Sequence, residues 1–347
     1  MSRAIQLVSL ASSAPMGQQV HEAAIAAHIR GCAPADWQFQ AISVGSLRTA
    51  NGATTRLPMR LVLSLPFPAA AAVGRLAYGR SDLVHLFDLR CPPATGATVI
   101  TIHDLPPLRF SDEGTLPRFA VRSARAAMAI ISPSEFAANE VQDLIGARDV
   151  QVIPNGVTEI FCQHSSSDKD QAAMVGSRDF VLHAGGATDR KNLRGLAAAW
   201  ESVARSHRGV TLAMCGPASP RRDELFRGVA QTRYLGHLDQ STVAALMRCA
   251  RAVVVPSLYE CFGLPALEGM ACGAPVVAAN TGALPEVCGD AALLVAPTPE
   301  GIAEGLLAVL GDDSVARRYV SAGPLRASRY SWDRAAQSIV RLYERVS

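Results

Sequence analysis

Short apolar runs rich in β-branched residues alternate along the whole chain with longer stretches of mixed polarity. Continuous apolar runs of strand length fit strands buried on both faces, and the mixed stretches between them fit helices. In the first half this predicts strands at Ala4–Leu10, Phe39–Val44, Leu83–Phe87, Thr98–Ile102, Ala129–Ser132 and Val150–Ile153, with helices near Gln18–Ile29, Leu116–Met128 and Ser134–Leu144. In the second half it predicts strands at Phe180–Ala184, Thr211–Cys215, Arg233–Leu235, Ala252–Val255, Val276–Ala278 and Ala292–Val295, again with helices between them. Strand and helix in alternation are the signature of doubly wound parallel sheets, so the expected class is α/β.

The chain has 347 residues, too long for one ordinary core and suited to two. The polar stretch from Gln163 to Ser177 reads as a linker, dividing an N-terminal domain (1–160) from a C-terminal domain (179–330), with 161–178 between them. Ala4–Leu10, broken by Gln6, reads as a first strand rather than a signal peptide. The longest apolar region, Leu61 to Val73, is shorter than a membrane span and contains Pro66 and Pro68. A net charge of +3, with no basic stripe interleaved with aromatics, argues against nucleic acid as a partner. The 8 cysteines show no metal-binding spacing and read as reduced thiols of a cytoplasmic protein.

The most informative chemistry lies after the Ala252–Val255 run. Pro256-Ser257 ends that strand, and Glu260 follows in the loop. Gly263 then gives backbone freedom, Pro265 suits the first turn of a helix, and Glu268 falls on that helix. Two carboxylates beside helix N-terminal amides describe a site for a sugar joined to a phosphate, the amides holding the anion and the carboxylates accepting from hydroxyls. A second candidate is the run from Leu182 to Leu193, where Gly185 and Gly186 follow a strand and Arg190-Lys191 opens the next helix. Such a loop favours phosphate oxygens. Asp168-Lys169-Asp170 has the spacing of a metal-binding carboxylate pair, but no strand precedes it, and a serine-rich linker cannot fix two carboxylates at metal-ligand distance. We therefore expect no metal and no other cofactor.

With the following Gly273-Ala274-Pro275-Val276-Val277 and Gly282-Ala283-Leu284-Pro285-Glu286-Val287 segments, this pattern resembles the retaining nucleotide-sugar glycosyltransferases of the GT-B fold, family 4 in particular. The resemblance covers the chain from about Phe180 onward and extends to mannosyltransferase-like members. It implies two Rossmann-like domains facing a central cleft and a last helix, Trp332 to Arg345 within 331–347, that returns to the N-terminal domain. It implies Glu260 at the donor sugar hydroxyls, Glu268 at the ribose, and the loop of Cys261, Phe262, Gly263 and Leu264 against the sugar. It places Lys191, with Arg190 and the loop at Gly186, at the diphosphate. The family often has a further Arg or Lys where this chain has Gly185 and Gly186. The backbone near Leu238, in Leu235-Gly236-His237-Leu238, would meet the nucleobase, so side chains carry no code for the base and GDP and UDP both remain open. In the N-terminal half, His103 at a strand end would contact sugar or acceptor, Asp104 would orient its ring, and Gly17 after Pro15-Met16 would approach the diphosphate.

The implied reaction moves a hexosyl group, best matched by mannosyl from GDP-mannose, onto an acceptor hydroxyl with retention of configuration. The acceptor would be a glycan or lipid-linked glycan in polysaccharide or glycolipid assembly. Arg118, Arg122 and Arg125 recur at helical spacing beside Phe119, Val121 and Met128, a face that could rest on anionic lipid at the inner side of a membrane. A nucleotide-sugar epimerase or sugar phosphorylase on the same fold is the alternative enzyme: the phosphorylase would carry a pyridoxal lysine, and the epimerase would turn over donor without acceptor. An inactive partner subunit is the non-enzyme alternative, disfavoured by the presence of Glu260, Glu268, Lys191 and His103 together. Oligomeric state leaves no trace in the sequence.

Overall fold

The computed structural model describes residues 3–12, 17–47 and 52–346, so the expected Pro15-Met16 loop lies outside the described residues. The chain forms two compact units, residues 1–156 with 332–347, and residues 157–331. The boundary at Gly156 and Val157 precedes the polar stretch read as the linker. That stretch instead belongs to the second unit and contains the helix Asp168–Ala172. Arg248 explains why: its Nε and Nη2 donate to the Asp168 carboxylate at 2.6 and 2.7 Å, and its Nη1 donates to the Ile160 carbonyl at 2.9 Å. Those hydrogen bonds hold the Asp168 carboxyl below its ordinary range. Serine-rich composition marked flexibility, but one buried bidentate ion pair fixes the segment.

The first unit is a seven-stranded parallel sheet of β1 (Arg3–Leu10), β2 (Trp37–Ser46), β3 (Thr55–Leu57), β4 (Leu83–Leu86), β5 (Thr98–Thr101), β6 (Ala129–Ser132) and β7 (Val150–Val152), in the order β3-β2-β1-β4-β5-β6-β7. Successive strand residues serve opposite faces. Ile5, Leu7, Val99 and Ile131 join one core with Ile25, Ile29 and the helix Trp332–Arg345, while Val8, Ile100 and Ile130 join the other. Along that last helix the buried residues Trp332, Ala335, Ala336, Ile339, Val340 and Tyr343 follow the period of an amphipathic helix. The helix expected over Leu116–Met128 is shorter, Ala120–Ala126, and Arg118 precedes it. Arg122 lies with its guanidinium carbon 4.8 Å over the Phe67 ring, and Arg125 Nε donates to the Ile145 carbonyl at 2.6 Å. The three arginines therefore do not form one helical stripe.

The second unit is a six-stranded parallel sheet of β8 (Phe180–Ala184), β9 (Thr211–Cys215), β10 (Thr232–Tyr234), β11 (Ala252–Val255), β12 (Val276–Ala279) and β13 (Leu293–Val295), ordered β10-β9-β8-β11-β12-β13. One face packs Val181, Leu212, Met214, Val254 and Val277 against Trp200 and Ile302. The strand order reverses direction between β8 and β11, and open α/β sheets bind ligands outside the carboxyl ends of the strands at such a point. No described helix is long and apolar enough to cross a membrane. All 8 cysteines are free thiols.

Candidate functional site

The loops leaving β8 and β11 meet at that reversal and bring together residues 69 positions apart. Lys191 Nζ donates to Glu260 Oε1 at 2.6 Å, Ser257 Oγ donates to the same oxygen at 2.8 Å, and Arg190 Nη1 lies 3.5 Å from Glu260 Oε2. Asn192 locks the two loops in register. It takes a left-handed conformation (φ 54°), caps the helix Leu193–Ser206 by accepting from Gly195 N, and donates to the Pro256 and Pro297 carbonyls at 3.0 and 2.9 Å. The Arg190 carbonyl in turn accepts from Leu258 N at 2.8 Å.

Glu260 is 6% exposed, and both its oxygens face protein cations or a hydroxyl. The sequence suggested a carboxylate open to sugar hydroxyls; the structure seats it behind Lys191. Burial pushes its carboxyl up, but Lys191, Arg190 and the Ser257 hydroxyl outweigh that and leave it below the ordinary range. It is thus an anion that fixes a lysine. An ammonium has three donors, so Lys191 keeps capacity for a ligand oxygen while Glu260 holds it.

Glu268, on the helix Leu264–Ala271, stands apart from this network. Its carboxyl makes no ion pair or hydrogen bond among the described residues, and burial alone raises it to about 7. Gly263 caps that helix at φ 93°, a conformation strained for any residue with a side chain, and a Cβ there would lie 2.5 Å from Leu284 Cδ2, which would have to shift. The Cys261 and Phe262 side chains turn inward, with Sγ 3.0 Å from the Tyr259 hydroxyl and the Phe262 ring edge-on to Tyr330 at 5.6 Å. The N–H groups of Phe262, Gly263 and Leu264 find no acceptor among the described residues, and neither do those of Gly186 and Ala187 in the β8 loop. Leu238, just before the helix Gln240–Cys249, likewise leaves its N–H and carbonyl unbonded among the described residues. Open amides at helix entries are anion-binding features.

In the first unit, His103 follows β5. No interaction of the His103 ring with Asp104 is seen among the described residues, and Asp104 lies within electrostatic reach of Arg90. The His103 ring packs edge-on against His21, centroids 4.4 Å apart, and its Nε2 is enclosed without a partner. Burial and the neighbouring His85 push it down to about 3, so it is neutral at physiological pH. Gly17 is the first residue of the helix Gly17–Cys32. Asp168, the first carboxylate of the Asp-Lys-Asp run, has both oxygens occupied by Arg248. Sequence reasoning missed Ser257, His183 and Arg222, which carry no motif of their own, and the role of Asn192, the last residue of the Arg190-Lys191-Asn192 run, as a loop stitch.

The sequence matches the family model described as "Glycosyltransferase Family 4" over residues 17–159, and that described as "Glycosyl transferases group 1" over residues 178–312. It is similar to the O-antigen chain mannosyltransferase B of Escherichia coli, 30% identical over 238 residues, a span covering 64% of this chain and 62% of that protein. It is also 30% identical over 302 residues to a phosphatidyl-myo-inositol mannosyltransferase of Mycobacterium tuberculosis, covering 78% of this chain and 76% of that one. Among solved structures, Anabaena HepE in complex with UDP-glucose superposes with a TM-score of 0.78 at 20% identity, covering 99% of each chain. That likeness is one of fold, the GT-B fold.

Proposed function

Because the chain belongs to glycosyltransferase family 4 and is a glycosyl-transferring enzyme, we propose that it moves a hexosyl group from a nucleotide-diphosphate sugar to a glycan or lipid-linked glycan hydroxyl, with retention and without metal. The observation that carries this reading is the buried Lys191–Glu260 pair at the strand-order reversal of the second unit, beside the open amides of Gly186 and Ala187. Lys191, held by Glu260, and Arg190 neutralise charge as the diphosphate leaves, in a buried setting where such interactions are strong. Glu268 accepts from the ribose hydroxyls, the amides of Phe262 to Leu264 face the sugar, and the Leu238 backbone meets the base. The mannosyltransferase names of two relatives favour mannosyl as the sugar, and the carrier is GDP or UDP. The acceptor hydroxyl attacks from the face on which the phosphate departs and its proton passes to the leaving phosphate oxygen; Glu260 is tied to Lys191 and Glu268 is assigned to the ribose, so neither serves as the nucleophile. Exposed Leu61 and Leu76 beside Arg60 and Arg75 add apolar and basic surface to the first unit and support contact with anionic lipid.

The test is thermal stabilisation by GDP and UDP with EDTA present. At 100 times its dissociation constant the bound nucleotide should stabilise by about 2.7 kcal/mol. Stabilisation that appears only with magnesium or manganese would refute the metal-free arrangement; stabilisation by neither nucleotide would refute the donor site. GDP-mannose and UDP-glucose offered to the same preparation then decide the sugar.

The Glu268 carboxyl gives a pH signature. It ionises near 7 in the fold, and only the ionised form is the strong acceptor. Nucleotide affinity should therefore rise about tenfold from pH 6 to 8 as the competent fraction grows. The nucleotide's own phosphate titrates in the same window, so the quantity to read is the difference between wild type and Glu268→Gln. An identical pH slope in both would remove Glu268 from the ribose.

A further inference from the structure

A buried cation with no counter-ion among the described residues lies beneath the β8 loop. Arg222, on the helix Pro220–Leu225, is 1% exposed. Its Nη2 donates to the Gly185 carbonyl and its Nη1 to the Pro217 carbonyl, both at 2.8 Å, while its Nε is buried with no acceptor. Its guanidinium carbon sits 4.8 Å over the Tyr234 ring, whose hydroxyl donates to the Gly216 carbonyl at 2.8 Å. Among the described residues no carboxylate is a partner of it. Gly216 makes the approach possible: at φ 144°, a Cβ there would fall 2.1 Å from the Gly185 oxygen and 3.3 Å from Arg222 Nη2.

Enclosing a guanidinium with carbonyls alone is costly in a fold unless an anion completes it. Gly185 and Gly186 bring no charge to the loop, and Lys191 is already matched by Glu260. A second polar group waits at the same place. His183, 3% exposed at the end of β8, turns Nδ1 to the Val254 carbonyl at 3.3 Å and leaves Nε2 unpartnered, 3.6 Å from where a Gly185 side chain would begin.

We propose that Arg222 is a positioning residue for the donor's phosphates: it fixes the Gly185–Gly186 loop so that the open amides meet the anion, and it supplies the counter-charge from beneath. The proposal rests on the nucleotide-sugar reading of this site. Arg222 is itself too enclosed to touch the ligand, so it acts through the loop and through its field.

The experiment compares calorimetric affinities for UDP, UMP and uridine, and for GDP, GMP and guanosine, in wild type, Arg222→Lys and Arg222→Gln. Glutamine can still donate to one carbonyl but carries no charge. A unit charge acting across several ångströms of protein interior should change diphosphate affinity by about tenfold or more. We expect Arg222→Gln to lose about that factor for the diphosphate and less than about twofold for the nucleoside, and Arg222→Lys to stay within about threefold of wild type for both. Equal losses for nucleoside and diphosphate, or equal losses in the two variants, would show a structural role only and overturn the proposal. Should Arg222→Gln fail to fold, Arg222→Lys decides, because a tenfold loss of diphosphate preference in that folded variant is incompatible with a charge role. A wild-type protein that binds no nucleotide would instead overturn the donor-site reading, a different result.

Discussion

Transfer by Lys191→Met is expected to fall by about 10³-fold, and the variant should also lose about 3–5 kcal/mol of stability. Both follow from one geometry. Lys191 Nζ lies 2.6 Å from a carboxylate that is 6% exposed, and methionine would leave that charge with only Arg190, 3.5 Å away, and the Ser257 hydroxyl. The double variant Lys191→Met/Glu260→Gln removes both charges. It should recover most of the stability and none of the activity, because a neutral pair is tolerated in a core while the departing phosphate still lacks its cation. The sign of the pH effect is fixed by the same pair. Its partners hold Glu260 below the ordinary range, so its contribution is present above the unfolded value of about 4.3 and is lost as pH falls through the folded one. Urea unfolding and transfer rates on the same preparations decide the matter. A double variant no more stable than Lys191→Met, or transfer by Lys191→Met within tenfold of wild type, would end the assignment.

His103→Ala is expected to lower transfer by about 10²-fold, the scale of a lost positioning contact, while nucleotide affinity stays at the wild-type value. The side chains proposed to hold the nucleotide, Lys191, Arg190 and Glu268, belong to the second unit, and His103 to the first. Its ring presents an enclosed, unpartnered Nε2 and is neutral through the working range because burial pushes it down to about 3. The ratio of variant to wild-type rates should therefore stay flat from pH 5 to 8. A bend near 6.5 in that ratio would mean that the ring titrates. Unchanged transfer would make His103 a packing partner of His21 and nothing more, with circular dichroism confirming that the fold survives.

Much of this was legible in the sequence for one physical reason: parallel strands are buried on both faces and read as unbroken apolar runs, as at Ala252–Val255 and Phe180–Ala184. The helices Met59–Ser64 and Phe67–Tyr78 escaped because Pro66 and Pro68 look like breakers, whereas Pro66 is the N-cap of the second helix and Pro68 sits in its first turn, where a missing N–H costs nothing. Thr55–Leu57 escaped because three half-exposed residues give no period. At the candidate site the sequence singled out Glu260 and Glu268 by their spacing and Lys191 by its place in the loop motif, but the pairing of Glu260 with Lys191 was not legible. It depends on β8 lying beside β11, a fact of strand order that local patterns do not encode. Arg222 is invisible for a like reason, since its Gly185 partner lies on a neighbouring strand's loop, while Ser257, only three residues from Glu260, carries no pattern of its own; Asp168 misled because its partner Arg248 lies 80 residues away.

The helix Trp332–Arg345 has a consequence for biosynthesis. It fills the core of the first unit, where Tyr343 bonds His85 Nδ1 at 2.5 Å, yet it emerges from the ribosome only after the whole of the second unit. The second unit is one uninterrupted stretch, residues 157–331, and needs no later segment to complete its core. The first unit must wait, its central sheet lacking a wall until the final turns arrive. The half carrying Lys191, Glu260 and Glu268 thus holds all of its own core in one stretch, whereas the one carrying His103 depends on a segment made after the other half.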